Sequence, residues 1–269
     1  MVSVAPISSN IACKGAMSMV LNRSLFKSCF RKYYHRSSLS LMMSSSTGID
    51  GKGFERTAGI IIVGDEILKG HTKDLNSSFL LSRLWTNGVS VKKVSFVPDD
   101  VDVIANEVRT FSSKYSLIIT CGGIGPTHDD MTFEAVSKAF DEPLALNEEL
   151  KEKIKLLTSS ETLSSGFLKM ATLPKSTKLI TGHDPLTNTA VKYPLMNIKN
   201  VYIFPGVPEF MQKSFAINQH LFSAENQFYL MKIYISVDEN SIAANLENVD
   251  SAFPDVSVGS YPMLSLIHI

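Results

Sequence analysis

"SLIITCGGIGPTHDD" occupies residues 116–130. Its first half is apolar and β-branched, which is how a strand buried on both faces reads. Gly122, Gly123 and Gly125 follow, then Asp129 and Asp130. A glycine loop lets backbone N–H groups approach an anion, and the positive end of the next helix adds to the attraction. Two aspartates oppose it. A hard divalent cation removes the conflict, because it takes oxygen ligands from carboxylate and phosphate together. The ligand so read is phosphorylated, a nucleotide or a pyrophosphate, and arrives with a metal. Asp130 also has a plainer reading, as the cap of a helix carrying Phe133, Val136 and Phe140.

The same grammar repeats on both sides. "TAGIIIVG" (57–64) is a buried strand that runs into Gly64, Asp65 and Glu66. Asn76 is expected to cap a helix with Leu80, Leu81, Leu84 and Trp85, closed by Asn87-Gly88. "VSVKKVSFV" (89–97) is a second strand, and Asp99 or Asp100 caps the helix through Val103, Ile104 and Val108. Residues 147–158 read as another helix. "NVYIF" (200–204) is a strand leading to Gly206, and Pro208 suits the first turn of a helix. Strands alternating with helices, several of them apolar throughout, predict a mainly parallel sheet covered on both faces. The span 159–200 reads as irregular strands and loops. From 227 the pattern becomes strand, helix, strand, the start of a small α/β unit that stops at "MLSLIHI" and is too short to bury much core.

Ligands of a parallel sheet bind beyond the carboxyl ends of its strands. Asp65 and Glu66 lie just past the first strand; Gly122, Gly123, Gly125, Thr127, Asp129 and Asp130 lie past the third. Gly206 past a later strand is a weaker candidate. Asp129 and Asp130, helped by Asp65 or Glu66, would hold the cation. The loop backbone, with Gly64 and the Thr127 hydroxyl, would hold the ligand. Each acidic loop alone has an ordinary structural explanation; two at equivalent strand ends favour a site. Asp99-Asp100, directly before a helix and without glycine, reads as a cap. His128 is a ligand or an acid only by its place in the loop. Cys121 reads as a buried strand-end thiol.

The chain has 269 residues, 44% hydrophobic and 19% charged, with 26 basic and 26 acidic residues. The balance is uneven along the chain. Residues 1–49 hold six basic residues and no acidic one, leaving 20 basic against 26 acidic in the body. An acidic body argues against nonspecific nucleic-acid binding. No run of about 18 apolar residues is present to span a membrane. In "MSMVLNRSLFKSCFRKYYHR" (17–36), Arg23, Lys27 and Arg31 align on one helical face. This Ser-rich, acid-free leader, residues 1–46, reads as a mitochondrial transit peptide to the matrix. A disordered leader, or a cytoplasmic product from an internal start at Met42 or Met43, is the alternative. Cys121 alone of the three cysteines lies in the body, so no internal disulfide or cysteine metal site forms there.

"AGIIIVGDEILKGHTKDLNSSFL", "GGIGPTHDDMTFEAV" and "NVYIFPGVPEF" together resemble the MoCF domain, named for molybdopterin binding. The likeness is to its CinA-type branch, and within it to the N-terminal half of eukaryotic FAD synthases. It runs from about residue 57 to 262, with the MoCF-like domain at 54–222 and the small unit at 227–269. The resemblance implies a three-layer α/β/α fold, a homo-oligomer and metal-assisted hydrolysis of the pyrophosphate of FAD or ADP-ribose, with Mg, Mn or Co. For FAD the products are FMN and AMP. Full-length relatives carry a separate FMN adenylyltransferase domain to which nothing here corresponds, so this chain is expected to degrade FAD and not to make it. The rival reading is a module that binds a pterin or flavin nucleotide, or regulates a synthase, without turnover.

Overall fold

Four parallel strands carry the sheet in the computed structural model, which describes residues 55–183, 191, 193–225, 227–230, 238–254 and 256–261. One compact unit spans Gly48–Tyr229, and the residues from Leu230 on belong to a second. In chain order the first unit contains β1 (Thr57–Val63), α1 (Asp65–Leu68), α2 (Asn76–Thr86), β2 (Ser90–Val97), α3 (Val101–Lys114), β3 (Leu117–Cys121) and α4 (Thr132–Phe140). There follow β4 (Leu144–Leu146), α5 (Glu148–Thr158), α6 (Ser165–Met170), β5 (Thr172–Pro174), β6 (Lys178–Ile180), β7 (Leu195–Ile198), β8 (Val201–Phe204) and α7 (Pro208–Ile217). A 3-10 turn, Gln219–Phe222, closes the unit's helices.

The main sheet runs β2-β1-β3-β8-β7-β6. The pairs β2/β1, β1/β3 and β3/β8 are parallel, while β7 and β6 add an antiparallel edge. Alternation along buried strands sorts the core into two layers, because successive side chains point to opposite faces. Ile61, Val63 and Ile118 face Ile104, Val108, Phe111, Phe133 and Val136 from α3 and α4. Ile60, Ile62, Leu117, Ile119 and Cys121 face Leu80, Leu84, Met211, Phe215 and Phe222 from α2, α7 and the 3-10 turn. The second layer is strongly aromatic: Phe215 and Phe222 stack at 4.9 Å, with Phe204 at 6.3 and 5.8 Å from them. The result is an α/β/α sandwich with a mainly parallel sheet.

Strand order decides where a ligand can sit. From β1 the chain crosses through α2 to β2 on one side; β3 then pairs on the other side of β1. The loops leaving β1 and β3 therefore part in opposite directions, and the gap between them is the topological switch point of an open α/β sheet.

Several local expectations are corrected. Asn76 does not cap α2: its side chain is buried, and Asp74 accepts from the N–H of Asn76 and Ser77 instead. The cap of α3, expected at Asp99 or Asp100, is Asp100, which accepts from the N–H groups of Asp102 and Val103. Asp130 does not cap α4, whose first turn follows Met131 with no side-chain cap. The span 159–200 is more regular than its punctuation suggested: Ser164 caps α6, and β5, β6 and β7 follow. On α2, Leu80 and Leu84 enter the core while Leu81 and Trp85 stay partly exposed.

In the second unit the expected helix is present as α8 (Glu239–Ala252), capped by Asp238. Of the strand expected over 227–237, residues 227–230 are not in a strand and 231–237 lie outside the described residues. Residues 256–261 carry no strand. No helix among the described residues is long and apolar enough to cross a membrane.

Candidate functional site

Three strand ends meet through bare backbone. Gly122 leaves β3 with φ of 107°, and a Cβ there would lie 2.2 Å from the Val63 carbonyl at the end of β1. A Cβ on Gly206, beyond β8, would lie 3.2 Å from the Cα of Gly122. Glycine is required at these points for close approach of loop to loop. Two of the glycine amides expected to meet a ligand are committed to the protein. Gly122 N–H donates to Phe204 O at 3.1 Å and Gly64 N–H to Val97 O at 3.1 Å. Among the described residues no acceptor engages the N–H groups of Gly123, Ile124 or Gly125. The buried Ile124 side chain anchors that stretch.

Asn76, at the start of α2, stitches the same edge from beneath. Its amide donates to Gly206 O at 2.7 Å and to Cys121 Sγ at 3.1 Å. Cys121 in turn donates to Pro205 O at 3.1 Å. Burial pushes the Cys121 thiol up to about 12, so it stays protonated and serves as a packed bridge.

Carboxylates gather past the ends of β1 and β2. Asp65 and Glu66 form the first turn of α1, where helix geometry favours acidic side chains. Asp65 is paired with Lys69 at 2.6 Å, and this contact holds its carboxyl below the usual range. Glu66 folds back over Gly64, where a Cβ would lie 2.8 Å from its carboxylate oxygens. Asp99, at the carboxyl end of β2, accepts from the Asp65 N–H at 2.9 Å. Burial raises the Asp99 carboxyl, and the charges of Glu66, Asp65 and Asp129 raise it further. Asp99, read from the sequence as a helix cap, instead stands beside these carboxylates; the signal was its place past a parallel strand's end.

The β3 loop folds on itself. Thr127 donates from both its N–H (2.9 Å) and its hydroxyl (2.5 Å) to Asp130 Oδ2. Gly125 leaves room for that carboxylate, which a Cβ would approach to 2.7 Å. Asp129 stays exposed, and its carboxyl is held low by its own backbone N–H and by the nearby charges of His128 and Lys169, the single Thr127 hydroxyl proton going to Asp130. The structure thus brings Asp65, Glu66, Asp99 and Asp129 within electrostatic reach of one another, while Asp130 is turned into the loop.

Among the described residues no three Asp, Glu, His or Cys side chains are arranged to hold a metal ion. The donor set therefore does not form a resident cage of protein ligands, and no chemical step is routed through one. One or two carboxylates beside free amides instead suit a cation that arrives already bound to phosphate, the usual manner for magnesium.

Sheet order, glycine contacts and flanking carboxylates define an open α/β domain whose β1 and β3 loops part at the switch point of the sheet. The chain belongs to the MoCF family: the family described as "Probable molybdopterin binding domain" matches residues 59–219. A second match, "FAD synthase, middle domain", covers residues 227–266. A "Probable FAD synthase" of Caenorhabditis briggsae is 34% identical over 232 residues, 79% of this chain and 44% of that one. The chain thus spans less than half the length of that relative. An Archaeoglobus fulgidus protein is 32% identical over 203 residues, with 76% of this chain and 84% of that one aligned. The solved structure of "the protein CinA with unknown function" from Thermoplasma acidophilum is 32% identical, with a TM-score of 0.56. It covers 62% of this chain and 98% of its own.

Proposed function

We propose that this domain binds the pyrophosphate of a flavin or related nucleotide and hydrolyses FAD, or ADP-ribose, at that bond. What supports the reading is that the loops after β1, β2 and β3 carry unengaged amides (123–125) together with the carboxylates of Asp65, Glu66, Asp99 and Asp129, which act on one another electrostatically. Amides suit phosphate oxygens; carboxylates suit the cation that accompanies them and the water that attacks. In this reading the substrate is the nucleotide carrying its own divalent cation, Mg, Mn or Co. Asp99, close to Asp65 and partly withdrawn from solvent, takes the proton of the attacking water. The water oxygen bonds to one phosphorus and the bridging P–O bond breaks, so FAD and water give FMN and AMP. The name of the Caenorhabditis briggsae relative, "Probable FAD synthase", supports a place in flavin nucleotide metabolism.

A second reading, a nucleotide-binding or regulatory module without turnover, is favoured by the engagement of Asp65 with Lys69 and Asp130 with Thr127. One experiment separates them. Pure protein is incubated with FAD and Mg²⁺, Mn²⁺ or Co²⁺ while AMP and FMN are followed by chromatography, with calorimetry of FAD binding in parallel. Turnover abolished by chelator supports hydrolysis; binding without AMP supports the module; neither sinks both. Targeting of residues 1–46 to the mitochondrial matrix and assembly into a homo-oligomer belong to the same proposal. A fluorescent fusion and light scattering test them.

A further inference from the structure

Helix α6 has no part in the expected site, yet it lies directly against the loop that carries Asp129 and Asp130. Lys169 Nζ donates to the carbonyl of Thr127 at 2.5 Å and to that of His128 at 3.3 Å. One turn earlier, a Cβ on Gly166 would lie 2.6 Å from the Pro126 carbonyl, so helix and loop backbone are in close contact. The helix is itself held: Ser164 accepts from Phe167 N–H, and Thr172 donates back to Leu168 O.

We propose that Lys169 is the positioning residue of the 125–130 loop, fixing from outside the segment that carries Asp129; its bearing on catalysis rests on the hydrolase reading above. The loop has two kinds of restraint. Internally, Thr127 is tied to Asp130, which sets the shape of the turn but not its direction. At its base, Ile124 is buried and Thr132 N–H donates to Gly123 O at 2.9 Å. Between these, Pro126 to Asp129 are exposed. The Lys169 ammonium bonds two successive carbonyls of that exposed part and ties them to the body of the domain. Water can replace the donors but cannot fix a direction. An arginine fork offers two N–H groups to two oxygens and can substitute; methionine, of similar length, cannot.

The test compares full-length wild type, Lys169→Met and Lys169→Arg. Hydrogen exchange of the peptide spanning 122–131 is expected to quicken about 5-fold or more in Lys169→Met, while peptides of β1 and β3 stay unchanged. In Lys169→Arg it stays near wild type. With FAD as substrate, Lys169→Met is expected to lower kcat/KM by about 10- to 100-fold, since the loop engages the bound nucleotide and its cation as well as the reacting phosphorus. Lys169→Arg recovers most of it. Unchanged loop exchange in Lys169→Met overturns the inference. So does faster exchange spread evenly through β1 and β3, or an arginine variant as impaired as the methionine one. If wild type neither binds nor hydrolyses FAD, the functional reading falls, and loop exchange still decides the role of Lys169.

Discussion

Gly122 and Gly125 sit three residues apart in one loop and should respond to alanine in opposite ways. At Gly122 the backbone φ is 107°, and the new Cβ would lie 2.2 Å from the Val63 carbonyl oxygen. A non-glycine residue in such a conformation costs about 1–3 kcal/mol. An ordinary contact needs more than a further ångström, and the obstacle is backbone within the buried sheet. Forced separation of packed elements adds about 1–3 kcal/mol. The combined loss is about 4 kcal/mol, a large part of the usual 5–15 kcal/mol of a domain. For a domain of this size that is a fall of about 8–16 °C in Tm. At Gly125 the obstacle is the Asp130 carboxylate at 2.7 Å, the far end of a side chain that can swing away. Gly125→Ala should shift Tm by no more than about 2 °C. It should break the Thr127–Asp130 contacts and so weaken FAD binding. Differential scanning calorimetry of both variants, with calorimetric titration of FAD, measures each effect. If Gly122→Ala melts with wild type, the close approach of the β1 and β3 ends is wrong. If Gly125→Ala melts as low as Gly122→Ala is expected to, Asp130 is not free to move and the loop is part of the core.

Asp99→Asn should be slightly more stable than wild type at pH 7 and equal to it near pH 3. The folded-state pKa of Asp99 lies above its unfolded value, so ionisation destabilises the fold as pH rises through that range, and the neutral amide avoids this while still accepting from Asp65 N–H. The same variant should lose FAD turnover; melting curves against pH, beside AMP release, check both, and an active variant removes Asp99 as the base. Cys121, with its thiol pushed up to about 12, should resist iodoacetamide at pH 8 until denaturant is added, as peptide mapping would reveal; rapid native labelling would contradict its bridging role. Asp130→Ala should leave Tm nearly unchanged, because no helix loses a cap; a large loss would show that the Thr127 contacts hold more than the loop.

The strands β1, β3 and β8 were legible because burial on both faces demands continuous apolar runs, and "GIIIV" and "LIIT" have no other economical reading. The helices after them followed from spacing of Leu80, Leu84, Ile104, Val108 and Val136. Caps were less legible. Asn76 and Asp130 carry the right side chains at plausible places, yet both make contacts to residues distant in the chain or on the far side of a turn. A capping preference of about 1 kcal/mol is easily outweighed by such contacts. Span 159–200 looked irregular since α6 has only six residues and β5, β6 and β7 have three or four, too short for periodicity to register.

Sequence by itself determined the class of fold, the family, and which loops stand at the carboxyl edge of the sheet, since hydrophobic pattern and glycine spacing are local properties. Tertiary structure alone decided which groups face one another there. It placed Asp99, beyond β2, against Asp65 of α1, 34 residues away, and Lys169 against Thr127, 42 away. It also turned Gly122 from a ligand's amide into a contact between strand ends, and folded Asp130 back on Thr127. The reason is physical. Strand order β2-β1-β3-β8 sets which loops become neighbours, and that order is chosen by how helices cover two faces of a sheet, a property of no single segment.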